Sequence, residues 1–169
     1  MSQSDHASLV GLWKLKSIQF EAADTGEIAD VFGPNPSGYL IHTGEGRMMA
    51  ILTRSDRAPP TEDSDGSALF KTMMAYTGIF RVEGDDKFIT HVDLAWHPGW
   101  NGTEQTRFFK VEGNTLSITT VQQTHPMFPG RMGPRRYCLD KGLILVRIDA
   151  WRTEYWLGKS QVRRETGGR

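Results

Sequence analysis

Cysteine is almost missing from this chain of 169 residues, and Cys138 is the only one. No intrachain disulfide can form, and a zinc site built from cysteine thiolates is excluded. Long apolar runs are missing too: none approaches the ~18–20 residues that cross a bilayer as a helix. The opening MSQSDHASLVGLW carries neither a basic stretch nor an apolar core of the signal-peptide kind, so the expected location is cytoplasmic. Net charge is absent as well, since twenty basic residues balance twenty acidic ones. That removes a general electrostatic drive toward nucleic acid or an anionic membrane, although RMGPRR at 131–136 is a local basic patch. No serine sits in a Gly-x-Ser-x-Gly elbow, and no phosphate-cradling glycine loop precedes a helix. Neither a nucleophilic serine hydrolase nor a nucleotide cofactor is expected, and no other cofactor is called for.

What the chain has is β pattern. Hydrophobic residues make up 38% of it and aromatics 10%, enough for one core. Trp13, Leu15 and Ser17 alternate with Lys14 and Lys16, which predicts a half-buried first strand. A turn at 24–26 leads to a short return strand near Ile28–Val31. GPNPSG at 33–38 is turn chemistry, and Tyr39–Thr43 with Arg47–Thr53 reads as a hairpin. SALFKTMMAY places Leu69, Phe70, Met73 and Met74 on one helical face, the one good helix pattern in the chain. Strands are predicted near 76–83, 87–96, 103–112 and 115–122, separated by glycine-bearing turns. QTHPMFPGRMGPRR, 123–136, reads as a long loop suited to covering a barrel mouth. Tyr137–Leu139 and Gly142–Ile148 flank a turn at 140–142, and strand pattern continues toward Trp156.

Many short strands at such spacings with one short helix predict an all-β fold, an up-and-down antiparallel β-barrel of about eight strands. Closure removes exposed edges, and a barrel of that size holds one small ligand. The expected organisation is a flexible N-terminus over 1–8, one barrel domain over 9–158 and a mobile polar tail over 159–169.

The densest chemistry lies between Lys87 and Asn114. His91 and Asp93 are two apart on one strand and so share a face; Gln105, Arg107 and Phe109 share a face of the next. Facing the lumen, His91 and Asp93 form an acid–base pair and Arg107 an oxyanion partner. Facing water, they leave Val92, Leu94 and Trp96 to fill the core. The candidate ligand contacts are Tyr39, His42, Tyr76, His91, Trp100, Gln105, Arg107, Phe109, Met127 and Phe128, with core packing the alternative for the aromatics. Expected partners of Arg107 are Asp93, Glu104 or a ligand's own oxygen, because a lone buried guanidinium is costly. His91, Asp93 and His97 match no compact ligand spacing, so no metal is expected.

Gly11-Leu12-Trp13 is similar to the Gly-x-Trp signature of lipocalins. More widely, LVGLWKL, VFGPNPSGYLIHTGEGRMMAIL at 31–52, YTGIFRVEG at 76–84 and THVDLAWHPGWNGTEQTRFF at 90–109 resemble the bacterial and fungal lipocalin-like domain family. Matching positions include Gly33, Pro34, Asn35, Gly38, Tyr39, Gly46, Arg47, Gly78, His91, Pro98, Trp100, Gly102, Gln105 and Arg107. The resemblance implies a calyx for small, mostly apolar molecules. It also implies that Trp13 closes the barrel floor beneath an arginine near the last strand, Arg147 or Arg152. The leading expectation is a barrel that binds a small, largely apolar molecule with a polar or acidic group. The alternative is a cofactor-free isomerase, cyclase or dehydratase acting on a polyketide- or terpenoid-like substrate in the same lumen. A third reading is an interaction module with a filled core, and a homodimer stays open. An open lumen, a filled one, or a His–carboxylate pair set against it would separate the three.

Overall fold

The computed structural model describes residues 7–62, 65–125 and 128–142, with backbone alone for 123–125 and 128–131. Eleven strands form: β1 (Gly11–Glu21), β2 (Ile28–Asp30), β3 (Ser37–His42), β4 (Arg47–Thr53), β5 (Met73–Glu83), β6 (Lys87–Ala95), β7 (Glu104–Glu112), β8 (Thr115–Thr120), β9 (Gln123–His125), β10 (Phe128–Gly133) and β11 (Arg135–Lys141). Eight of them, β1, β3–β8 and β11, are hydrogen-bonded in that order, and β11 returns to β1 to close an antiparallel barrel. Short β2 adds to the far half of β1, while β9 and β10 pair with each other. Among the described residues no helix is long and apolar enough to cross a membrane.

Alternation in the sequence becomes inside and outside of the wall. Trp13, Leu15, Ile18 and Phe20 of β1 are buried, and Lys14, Lys16 and Gln19 are exposed. The shift from odd to even positions occurs at a bulge between Leu15 and Ser17, where one extra residue resets the face. A second bulge lies between β5 and β6: Thr77 is opposite Leu94 and Gly78 opposite Val92, so Asp93 is the extra residue. Gly78 permits that approach, since a Cβ there would collide with the backbone carbonyl of His91.

Three expectations change. The helix is shorter, Asp65–Lys71, and Met73 and Met74 open β5 instead, opposite Thr53 and Leu52 of β4. A short apolar run satisfies both periodicities, and pairing with β4 satisfies the backbone groups of 73–76 along with the side chains. The anticipated turn at 140–142 is absent, because β11 runs unbroken from Arg135 to Lys141 against β1 and β8. Most of 123–136 is the β9–β10 hairpin and the start of β11. Residues 143–169, which include the expected end of the domain at 158 and the tail from 159, lie outside the described residues, as do residues 1–6.

Candidate functional site

One inward row of side chains winds around the wall and carries the polar content of the lumen. Phe20 is opposite Arg135; the Arg135 amide donates to Thr120 Oγ1 at 2.9 Å; Thr120 is opposite Arg107, and Arg107 is opposite Phe88. All five are buried. Arg107 is 3% exposed and Arg135 1% exposed, so two guanidinium groups sit inside one small barrel. The other buried polar side chains among the described residues are His42, Thr90, Gln105 and Thr120, with no carboxylate.

Arg107 is held by its own strand. Its Nη1 donates to the Thr106 carbonyl at 2.8 Å and its Nη2 to Gln105 Oε1 at 3.1 Å. Gln105 Nε2 donates in turn to Thr103 Oγ1 at 3.1 Å, and the Thr103 hydroxyl donates to the Trp100 carbonyl at 2.7 Å. Because a guanidinium only donates, Gln105 presents its oxygen to Arg107 and its amide nitrogen to Thr103. This relay ties Arg107 to the short 3₁₀ turn Pro98–Trp100. Arg135 differs, since among the described residues none of its three guanidinium nitrogens has a partner at hydrogen-bonding geometry, and only the Tyr137 phenol lies near enough to favour its charge. Burial lowers its pKa; Tyr137 opposes that effect and the Arg107 charge adds to it. The Tyr76 phenol is pushed up by burial and drawn back by Arg107. Two tyrosines and two arginines thus converge, a set that can donate to an oxyanion from several sides.

The free space beside this cluster is small. A cavity of about 20 Å³ is lined by Tyr76, Arg107 and Tyr137 together with Leu40, Met48, Ala50, Leu52, Phe88, Ile118 and Leu139. Small-molecule sites are usually clefts of about 300–1,000 Å³, so this cavity is far smaller than a usual ligand site. To take a molecule of ordinary ligand size, this cavity would have to widen by movement of its lining side chains. Unbranched Met48 is suited to such repacking.

Sequence reasoning brought some of these residues together and misplaced others. Gln105, Arg107 and Phe109 do share the inner face of β7. Phe109 lies at 6.0 Å from Phe88, ring to ring, as core packing. Half-buried Tyr76 lines the cavity, and buried Trp100 packs edge-on to it at 5.4 Å. His42 is inside but sits between Phe80 and Phe88, at 4.6 and 5.2 Å, away from the cavity lining. Tyr39 is three residues from His42 on the same strand, so the two must face opposite ways, and Tyr39 is outside and 48% exposed.

His91 and Asp93 are also on the outside, and this corrects the acid–base reading. Phe88, Thr90 and Val92 take the inner positions of β6. Asp93 accepts from Arg47 Nη2 at 2.8 Å, and that contact holds its carboxyl below the usual range. Exposed His91 lies opposite Glu104, whose carboxylate pairs with Arg81 at 2.8 Å. Neither Asp93 nor Glu104 therefore partners Arg107. Met127 lies outside the described residues, and of Phe128 only the backbone is described. Among the described residues no three His, Cys, Asp or Glu side chains converge as a metal would require. We expect His91→Ala and Asp93→Ala to leave binding of any lumen ligand within twofold of wild type; a tenfold loss in a fluorescence titration would put these residues back in the site.

Arg135 and Tyr137 were missed. The signal was the alternation Arg135–Tyr137–Leu139, which puts the arginine on the same face as two residues that want burial. The charge density of RMGPRR disguised it as surface.

Comparison with known proteins locates the chain. No curated protein matches it significantly. A crystal structure of an uncharacterized protein from Bacteroides eggerthii DSM 20697 aligns with a TM-score of 0.42 at 11% identity, covering 79% of this chain and 99% of that one. The lipocalin-like domain model matches residues 10–138, from the start of the first barrel strand into the closing one, and the chain belongs to the lipocalin-like domain family.

Proposed function

We propose that the barrel binds a small, largely apolar molecule whose acidic group is received by Arg107 and Arg135. The observation that carries this is the pair of buried guanidinium groups with no buried carboxylate among the described residues. Arg135, whose guanidinium nitrogens have no partner at hydrogen-bonding geometry among the described residues, is the stronger of the two. Like charges in a poorly solvated interior repel, and an anion inserted between them offsets both the repulsion and the lost hydration. Leu40, Leu52, Ile118 and Leu139 supply apolar wall for the remainder of the molecule. In this reading the protein works in the cytoplasm with a small molecule as its partner, without nucleic acid or membrane, as a monomer or a homodimer. The isomerase, cyclase or dehydratase alternative loses the acid and base it relied on, because His91 and Asp93 face water.

The test compares a fluorescent medium-chain carboxylic acid with the alcohol of the same chain. The acid should bind and the alcohol should bind at least tenfold more weakly. Arg107→Met keeps the apolar stem and should lower affinity for the acid by roughly 2–4 kcal/mol, the worth of charge-assisted hydrogen bonds in a dry site. Equal binding of acid and alcohol would remove the arginines from recognition. Failure of both to bind, with no small molecule seen by native mass spectrometry of freshly purified protein, would favour an interaction module with a filled core, a reading consistent with the small size of the cavity beside Arg107.

A further inference from the structure

The two buried arginines also bear on how much charge the acidic group carries, an inference that rests on the lumen reading above. A guanidinium stays protonated in proteins where a buried lysine can shed its proton, so Arg107 and Arg135 bring two permanent positive charges inside. The acids on the strands around them are engaged on the outer wall instead. Glu21 pairs with Arg136 at 2.6 Å, Asp93 with Arg47 at 2.8 Å, Glu104 with Arg81 at 2.8 Å and Asp140 with Lys16 at 3.2 Å.

What the described residues offer to the inner pair is neutral. Thr120, between the two arginines in the row, takes the Arg135 amide on its hydroxyl oxygen and donates to the Val121 carbonyl at 2.9 Å. Gln105 is the telling residue. It holds Arg107 Nη2 through an amide oxygen at 3.1 Å, where a glutamate of the same length would hold it as an ion pair. Gln105 is itself only 7% exposed and tied to Thr103 Oγ1, so the amide is fixed in place. It positions the guanidinium and leaves the charge to a ligand.

The donors also outnumber what a carboxylate accepts. A guanidinium has five N–H groups. Arg107 uses two on Thr106 and Gln105, and Arg135 has no partner at hydrogen-bonding geometry among the described residues, so about eight remain. A carboxylate offers about four lone-pair sites in one plane and suits a single guanidinium fork. A phosphate monoester spreads three terminal oxygens tetrahedrally and carries a charge of about −2 once its second proton is lost near pH 6. With Thr120 between them, Arg107 and Arg135 stand two strand spacings apart, about 10 Å at the backbone. A head with oxygens pointing both ways serves both of them.

We propose that the acidic group is a dianion, the phosphate monoester of an apolar alcohol, with its terminal oxygens shared between Arg107 and Arg135 and its apolar part against Leu40, Leu52, Ile118 and Leu139. A monoanion leaves one buried charge uncompensated, and a dianion balances both.

The experiment is calorimetric titration of the full chain with octyl phosphate, octyl sulfate, octanol and inorganic phosphate. Octyl sulfate has the same tail and the same three terminal oxygens but a single charge. At pH 8 octyl phosphate should bind at least tenfold more tightly than octyl sulfate. At pH 5, where the phosphate monoester is a monoanion, that ratio should fall below twofold. Tyrosine and arginine, the titratable residue types that line the cavity, do not change charge over this range. A positive charge gained at buried His42 on acidification would raise the ratio, not lower it. Inorganic phosphate should bind at least tenfold more weakly than octyl phosphate, since it leaves the apolar wall bare. Gln105→Glu adds a negative charge beside Arg107 and should cut the preference at pH 8 below twofold; a tenfold preference kept by that variant contradicts the charge balance. Equal binding of octyl phosphate and octyl sulfate at pH 8, or a preference that survives at pH 5, overturns the dianion, and the acidic-ligand reading then stands where octyl sulfate outbinds octanol. Neither anion outbinding octanol overturns both. Inorganic phosphate binding as tightly as octyl phosphate overturns the ester. The wild-type titrations decide the matter even where Gln105→Glu fails to fold.

Discussion

Trp13→Ala should cost about 3–5 kcal/mol of stability, the range found when large aromatics are removed from packed cores. Trp13 is fully buried, and its indole N–H donates to the Leu9 carbonyl at 2.8 Å, tying the chain ahead of β1 to the barrel end. Opposite it in the β1–β11 pairing is Lys141, whose ammonium lies 5.6 Å from the ring centroid. A cation over an indole face is worth about 0.5–2 kcal/mol, and Lys141 makes such a contact here. Arg147 and Arg152, the arginines anticipated for that place, lie outside the described residues. Trp13→Phe should retain most of the packing and lose the hydrogen bond, for a smaller loss of about 1–2 kcal/mol. Urea melts of both variants check this. A loss below about 1 kcal/mol for Trp13→Ala would mean that the floor repacks freely and that the Gly-x-Trp segment is not what closes it.

Arg135→Met should move stability the other way and raise it by about 1–4 kcal/mol in ligand-free protein, as happens when buried charges give way to apolar side chains of similar volume. The reason is local. Arg135 is 1% exposed, its guanidinium has no partner at hydrogen-bonding geometry among the described residues, and Arg107 faces the same interior. Methionine keeps the stem and removes both the desolvation and the repulsion. The same substitution should abolish stabilisation by an acidic ligand, which for wild type is about 2.7 kcal/mol at a hundredfold excess over Kd. Thermal melts with and without the carboxylic acid probe read both effects. If Arg135→Met instead melts lower and the probe still stabilises it, the guanidinium has a structural partner, and the anion site proposed for the lumen is wrong. Gains in stability with loss of binding would mark Arg135 as a residue kept for function at a cost to the fold.

The strands and their hairpins were legible because inside and outside alternate at period two and the turns carry glycine and proline where the backbone needs them. Trp13, Leu15, the Tyr39–Thr53 hairpin and the shared face of Gln105, Arg107 and Phe109 could be read that way. The family resemblance rested on the same residues. Which face of β6 is inside could not be read. Phe88, Thr90 and Val92 favour one face, but Ile89 on the other is buried too, and the bulge at Asp93 shifts the pattern so that apolar Leu94 is exposed. Only the pairing with β5 and β7 decides it, and that sends the His91–Asp93 pair to water. Met73 and Met74 show the same limit, because helix and strand periods agree over so short a run and the neighbouring strand settles the matter. The sequence by itself determined an antiparallel β-barrel with Gln105, Arg107 and Phe109 on one face of a strand, since a repeating pattern of side chains is a local property; that this face is the inner one was decided by the closed wall. The meeting of Arg107 with Arg135, and the absence of a buried carboxylate near them among the described residues, were decided by tertiary structure alone. They lie on strands joined through β8, and only closure of the wall brings charges that far apart in the chain into one small, dry space.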